Sequence, residues 1–226
     1  MWANHTPTAV KRPCKDRTQH AQRSMRQDAR MDEAWQFGPV QVQALPYVSG
    51  QRGQPQVHAS LARWLQRAPE EPLPIERDVH GRPRLVAPYT GLDAGWSHSG
   101  ERLLLAVGRD VVLGVDLERL RPRPRVLELA RRFFAPAEAD WLQSLRPELH
   151  EGEFVRLWCA KEAVLKAHGR GLAFGLHRLE FHAGDPGAPL RLQDCDPALG
   201  AAGDWQLHEW IPEPGYHAAL AWHPRD

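Results

Sequence analysis

Apolar positions along this chain follow two periods, and the switches between them predict its elements. "FGPVQVQALPYV" (37–48) alternates apolar with polar and reads as strand, whereas "VHASLARWLQRA" (57–68) repeats at helical spacing until the proline-rich "PEEPLP" stops it. "IERDVHGRPRLV" (75–86) predicts two short strands about a turn at Gly81. "RLLLAV" (102–107) and "VVLGVDLE" (111–118) flank "GRD", which predicts a hairpin. "VLELARRFFAPAEADWLQSL" (126–145) gives two helical pieces parted at Pro136, and "EFVRLWCAKEAVLKAHG" (153–169) gives a long helix with Gly169 as its stop. Short strands follow in "LHRLEFH", "PLRLQD", "DWQLHEWI" and "YHAALAWH". Irregularly mixed helices and hairpin-linked strands favour an α+β fold over a doubly wound parallel sheet.

Two places break the apolar pattern. In "LGVDLER" the side chains alternate across the strand, so Val115 and Leu117 share one face and Asp116 and Glu118 the other, with Cα atoms about 6.6 Å apart. Like charges so near one another are unfavourable unless a cation lies between them. A half-exposed polar strand face accounts for the pattern, and so does a divalent metal; Mg²⁺ suits carboxylates that share it with water and phosphate oxygens. In the long helix Phe154, Leu157, Trp158, Val164 and Leu165 make an apolar stripe; Lys161 falls inside it and Glu162 and Lys166, four apart, on its border. One account is a surface ion pair with Lys161 laying its stem along the core. The other packs this helix beside the carboxylate strand, adds Glu162 as a third carboxylate and turns the lysines toward phosphate.

Charge is unevenly spread. Residues 1–30 hold seven Lys/Arg against two Asp, a balance of +5, so a chain of net charge +1 carries −4 over the rest. With almost no apolar periodicity, residues 1–34 read as a disordered basic arm, a nucleic-acid-binding tail or transit peptide being the less supported alternatives. No apolar run approaches the roughly 20 residues that span a bilayer, and no secretory signal is visible. Cys14, Cys159 and Cys195, odd in number and far apart, fit neither a disulfide framework nor a zinc knot; a reducing cytoplasm is the expectation.

Five blocks in order carry a family likeness: "GRP" (81–83), "WSHS" (96–99), "GVDLE" (114–118), "FFAPAE" (133–138) and "WCAKEAVLK" (158–166). Together with "GRGL" (169–172) and "PGYHAALA" (214–221), they resemble the 4′-phosphopantetheinyl transferases of the surfactin-synthetase-activating type over roughly residues 57–223. The resemblance implies an α+β fold of two pseudo-symmetric halves, 35–110 and 111–226, with the site in the cleft between them. It implies transfer of the 4′-phosphopantetheine arm of coenzyme A to a serine of an apo acyl or peptidyl carrier protein, with Mg²⁺, by a cytoplasmic monomer that engages neither nucleic acid nor membrane.

Carried over by position, Asp116, Glu118 and Glu162 are the implied metal ligands. Gly81, Arg82, Pro83, Ser97, His98, Lys161 and Lys166 are the implied coenzyme A contacts; for Lys161 packing and phosphate contact both stand. Glu162, Lys166, His98 and Glu138 are the candidates for chemistry, Glu138 being equally readable as a helix-cap carboxylate after Pro136. Arg119, Arg121, Arg123 and Arg125 in "RLRPRPR" are expected to include carrier contacts, or else to be a solvated loop. The basic N-terminal segment that grips the cofactor 3′-phosphate in relatives has no clear counterpart before residue 57, Arg52 being the nearest cation. Two rivals use the same residues: a metal-dependent phosphodiesterase or nuclease, and a non-catalytic protein that binds coenzyme A or a carrier.

Overall fold

A computed structural model describes residues 33–48, 54–68, 70–182 and 184–225. Residues 1–32 of the arm expected over 1–34, which include Cys14, and Arg52 lie outside the described residues, whereas Ala34 already belongs to a strand.

The strand expected at 37–48 is present over 40–46, and a short strand before it makes a hairpin. β1 (Ala34–Phe37) turns at Gly38, φ 56°, into β2 (Val40–Pro46). Helix α1 (Gln54–Trp64) follows, then the small hairpin β3 (Ile75–Arg77) and β4 (Pro83–Leu85), then β5 (Leu92–Ser99) and β6 (Arg102–Arg109). β1, β2, β6 and β5, in that order, form an antiparallel sheet. Alternation along β6 divides its side chains: Leu103, Leu105 and Val107 pack with Val57 and Leu61 of α1 and with Leu65 just after it, while Leu104 and Ala106 face the other way.

β7 (Val111–Arg119) corrects the expected hairpin. β6 already has β5 and β2 on its two edges, so β7 crosses to a second sheet of order β10–β11–β7. The crossing is made at Asp110, φ 54°, and Gly108 leaves the room for it; a Cβ there would lie 2.6 Å from Val111 Cγ2. Leu113, Val115 and Leu117 of β7 then close on Val40, Val42, Leu104 and Ala106, so the two sheets share a core.

α2 (Val126–Phe133) and α3 (Pro136–Ser144) are parted at Pro136 as expected, proline taking the first helical position where its missing N–H is not needed. α4 (His150–His168) is the long helix, and Gly169 ends it in the left-handed conformation, φ 98°, its N–H bonded to Leu165 O at 2.9 Å. β8 (Leu179–His182) and β9 (Arg191–Cys195) pair at the far side; β10 (Gln206–Trp210) and β11 (Tyr216–Pro224) complete the second sheet. α4 is sandwiched between that sheet and the α2, α3, β8 layer, which is why 12 of its 19 residues are buried. The fold is α+β with antiparallel sheets, and no described helix is long and apolar enough to cross a membrane.

Candidate active site

The join of β7 and α4 makes the site. Gly114 lies directly beneath the helix: a Cβ there would stand 2.1 Å from Ala163 O and 2.4 Å from Ala167 N. Only glycine on the strand and small residues on the helix permit that approach. It brings Glu162 and Lys166 of α4 over the face of β7 that carries Asp116 and Glu118.

Ser97 and Ser99 on β5 face the same carboxylates at the same two-residue spacing. Ser97 Oγ donates to Asp116 Oδ1 at 2.9 Å and Ser99 Oγ to Glu118 Oε2 at 3.4 Å. Lys166 Nζ donates to Asp116 Oδ1 at 2.6 Å and to Ser97 Oγ at 2.8 Å, with about a third of its side chain exposed (34%). Arg123 turns inward, 3.1 Å from Glu118 Oε2. His98, on the opposite face of β5, stacks on Tyr47 with ring centroids 4.0 Å apart.

The acids act on one another. Burial pushes the Glu162 carboxyl up to about 7; the charges of Asp116 and Glu118 push the same way, and Lys166 opposes them. Glu118 is raised by burial and by Asp116, against the pull of Arg123 and Arg121. Burial would lower Lys166, but Asp116 and Glu162 hold it above its ordinary value. Burial and the Lys166 charge lower His98. Cys159, buried under the same face, is pushed well up by burial and then by Asp116 and Glu118, which makes it an inert thiol.

Asp116 Oδ2 is buried and accepts no hydrogen bond from a described residue. A bare buried oxygen beside two further carboxylates, all hard oxygen donors, fits a divalent cation such as Mg²⁺. As they stand, no three His, Cys, Asp or Glu side chains among the described residues are grouped closely enough to hold a metal ion. Lys166 is the cation on Asp116 in this arrangement.

Beside the carboxylates opens a cleft of about 260 Å³, lined by the Gly81–Pro83 turn with Arg77 and His80, by Ala94–Trp96 of β5, by Leu113–Val115 of β7 and by Lys166, Gly169 and Gly171 at the end of α4. Asp116, Glu118, Glu162 and Ser97, four of the candidate side chains from the sequence, thus lie about Lys166, and Gly81 and Pro83 line the adjoining cleft.

Lys161 and Glu138 are not at that place. Lys161 is fully buried, and its three N–H donors go to Leu176 O at 3.0 Å, to Leu179 O and to Glu138 Oε2 at 2.7 Å, with the Phe134 and Phe181 rings near it. Glu138 in turn accepts from Phe181 N and Ala135 N, each at 2.9 Å. An ammonium with all its donors engaged in the core does not reach a cofactor phosphate, and Glu138 acts as the helix-cap carboxylate. Burial pushes both toward their neutral forms while the pairing resists. Replacing Lys161 by methionine leaves Glu138 buried without its cation, which is expected to cost about 3–5 kcal/mol. The thermal midpoint should drop by roughly 10 °C, read by circular dichroism.

Arg82 is also spoken for. Only 7% exposed, it pairs with Asp93 through Nη1 (3.1 Å) and Nη2 (2.5 Å), donates from Nε to Lys166 O (3.0 Å) and from Nη2 to Leu113 O (2.8 Å). These contacts hold the guanidinium inside the fold at the wall of the cleft that Arg82 also lines. Asp93 was not singled out from the sequence; an aspartate inside the run Leu92–Trp96, which is otherwise without polar side chains of that kind, is the signal that points to it.

The family model for the 4′-phosphopantetheinyl transferase superfamily matches residues 112–221, which include Asp116, Glu118, Glu162 and Lys166. The chain belongs to the 4′-phosphopantetheinyl transferase superfamily. Among this superfamily's curated members it is 34% identical over 173 residues to a Synechocystis sp. protein provisionally named for that activity, covering 72% of this chain and 66% of the relative. It is 39% identical over 158 residues to the 4′-phosphopantetheinyl transferase HetI of Nostoc sp., covering 67% and 63% respectively. To the 4′-phosphopantetheinyl transferase psf-1 of Bacillus pumilus it is 35% identical over 127 residues, 56% of this chain and 53% of the relative. The chain thus spans a little under two thirds of the length of the first two. Among the superfamily's signature blocks, "GVDLE" and "WCAKEAVLK" meet at the Gly114 contact, whereas "FFAPAE" meets "WCAKEAVLK" in the core, through Glu138 and Lys161.

Proposed function

We propose that this chain transfers the 4′-phosphopantetheine group of coenzyme A to a serine of an apo acyl or peptidyl carrier protein, releasing adenosine 3′,5′-bisphosphate. The observation that carries this reading is the convergence of Asp116, Glu118, Glu162 and Lys166 at the end of a cleft. Mg²⁺ would be held by Asp116, Glu118 and Glu162, whose closure on one ion requires side-chain rotation from the present arrangement. Bound there, it would offset the diphosphate's negative charge, which otherwise repels an incoming oxygen.

In the reaction the serine Oγ forms a bond to the phosphorus that bears the pantetheine arm, and the bridging P–O bond of the diphosphate breaks. Glu162 is the candidate to take the serine proton; its carboxyl, raised to about 7 in the metal-free site, would be held lower by bound Mg²⁺. Lys166 can follow the charge onto the leaving bisphosphate, since part of its side chain is open to the cleft. The carrier is expected to meet the end of β7 and the basic loop after it through Arg119, Arg121 and Arg125, Arg123 being engaged by Glu118 and by Glu151, whose carboxylate accepts from its backbone N–H. The likeness to HetI and psf-1 supports the surfactin-synthetase-activating type.

The test is to incubate the chain with coenzyme A, Mg²⁺ and apo carrier and weigh the carrier. A gain of one phosphopantetheine unit supports the reading. Cleavage of coenzyme A with an unchanged carrier points to a phosphodiesterase, and binding with no product to a non-catalytic protein.

The raised Glu162 carboxyl also predicts a pH effect on metal binding. Metal takes the ionised form, so Mg²⁺ affinity should weaken as pH drops through about 7. At a pH near 6, binding should release close to one proton, an amount that carboxyls of ordinary pKa would not release. Calorimetry in two buffers of different ionisation enthalpy measures it; equal heats would contradict the assignment of Glu162.

A further inference from the structure

We infer that Arg82 is a positioning residue that bolts β7 to α4, and not a ligand of the cofactor's phosphates. One guanidinium spans the two elements that bring the acids together: Nε holds the carbonyl of Lys166 on the helix and Nη2 the carbonyl of Leu113 on the strand. Lys166 itself donates to Asp116, and Leu113 lies three residues before Asp116 on the same strand, so the bolt grips the backbone of Lys166 and of the strand about 10 Å from Asp116.

The guanidinium is held as firmly as it holds. Asp93, 1% exposed, takes both of its terminal nitrogens and also accepts from Leu113 N at 2.9 Å, so the carboxylate is fixed to the same strand. An arginine has five N–H donors, and four hydrogen bonds are made here. A single donor is left, too few for the two-pronged grip by which arginine binds phosphate. The contrast with Arg77 and His80 is direct, for both are exposed at the rim of the same cleft. Gly169 belongs to the same joint: a Cβ there would press on Arg82 Cδ at 3.2 Å, so the helix stop leaves the room through which the arginine enters.

Because catalysis depends on the relative placement of Asp116, Glu162 and Lys166, loosening the bolt should act on turnover and not on cofactor affinity. Displacements near 1 Å cost on the order of 100-fold in rate. This inference rests on the transferase reading, and the experiment separates the two. Arg82→Gln and the double variant Arg82→Gln/Asp93→Asn, which removes both buried charges and keeps a hydrogen-bonding pair, are assayed with coenzyme A and with 3′-dephospho-coenzyme A. The expected result in folded variants is a kcat lower by roughly 100-fold with both cofactors and KM values within about threefold of the unaltered chain. A KM that rises for coenzyme A alone makes Arg82 a phosphate ligand and overturns the inference, as does an unchanged kcat.

Should neither variant fold, the unaltered protein decides: the Arg82 Nε–H, followed by ¹⁵N–¹H NMR, should exchange slowly without cofactor, and fast exchange overturns the proposal. If the unaltered chain transfers nothing to any carrier, the transferase reading fails, and the exchange measurement still judges the bolt.

Discussion

Replacing Asp116 by alanine should abolish carrier modification, by about 10³-fold or more, while leaving the chain folded. Asp116 acts on more of the site than any other acid there: it accepts from Ser97 and Lys166, and its charge raises Glu162 and Glu118. Removing it deletes the bare oxygen best placed for a cation and frees Lys166 to swing into the cleft. A loss of several kcal/mol of transition-state stabilisation is of the size expected when a metal's charge is lost from a phosphoryl transfer. Stability should barely suffer, because Lys166 is part-exposed and can turn to water, and because Glu162, Glu118 and Cys159 lose a repulsive neighbour. The two readouts are the carrier's mass and the melting curve. A variant that melts like the parent yet modifies carrier within tenfold of its rate would remove Asp116 from the mechanism.

The second large effect is on folding. Gly114→Ala should destabilise the chain by about 4–5 kcal/mol or prevent it from accumulating in soluble form. The added methyl would meet backbone and not a flexible side-chain tip, at 2.1 Å from Ala163 O and 2.4 Å from Ala167 N. Neither can yield without lifting α4 from the sheet, and α4 is the most buried helix among the described residues. At roughly 2–4 °C per kcal/mol the thermal midpoint should drop by about 8–20 °C. Gly152→Ala is the control, since nothing lies within 4 Å of a Cβ there. A Gly114→Ala chain as stable as the parent would mean that the helix does not rest on the strand as described.

These two residues also mark what a reader of the sequence can and cannot see. Asp116 and Glu118 were legible, because a period of two puts them on one face whatever the strand pairs with. Glu162 and Lys166 were legible as a pair by their spacing of four. The direction of Lys161 was not. Its neighbours in space, Glu138 and the carbonyls of Leu176 and Leu179, come from two stretches separate from the helix, and an apolar-stripe lysine looks the same whether it meets phosphate or a buried acid. The Arg82–Asp93 pair was hidden for the same reason, since it is set by how the β3–β4 hairpin tucks against β5. The "GRD" turn misled differently. It has the chemistry of a hairpin, but strand pairing is decided by which edges are free, and β2 had already taken the edge that β7 would need.

β7 finds its hydrogen-bond partner in β11, with Val111 opposite Pro224 and Arg119 opposite Tyr216. On a translating ribosome, the strand that bears Asp116 and Glu118 therefore emerges long before the segment that will lie beside it. Pairings so distant along the chain are slow and leave exposed edges in the interval. Catalytic competence should appear only as a late, all-at-once event of biogenesis, and chaperone dependence should concentrate in that waiting period.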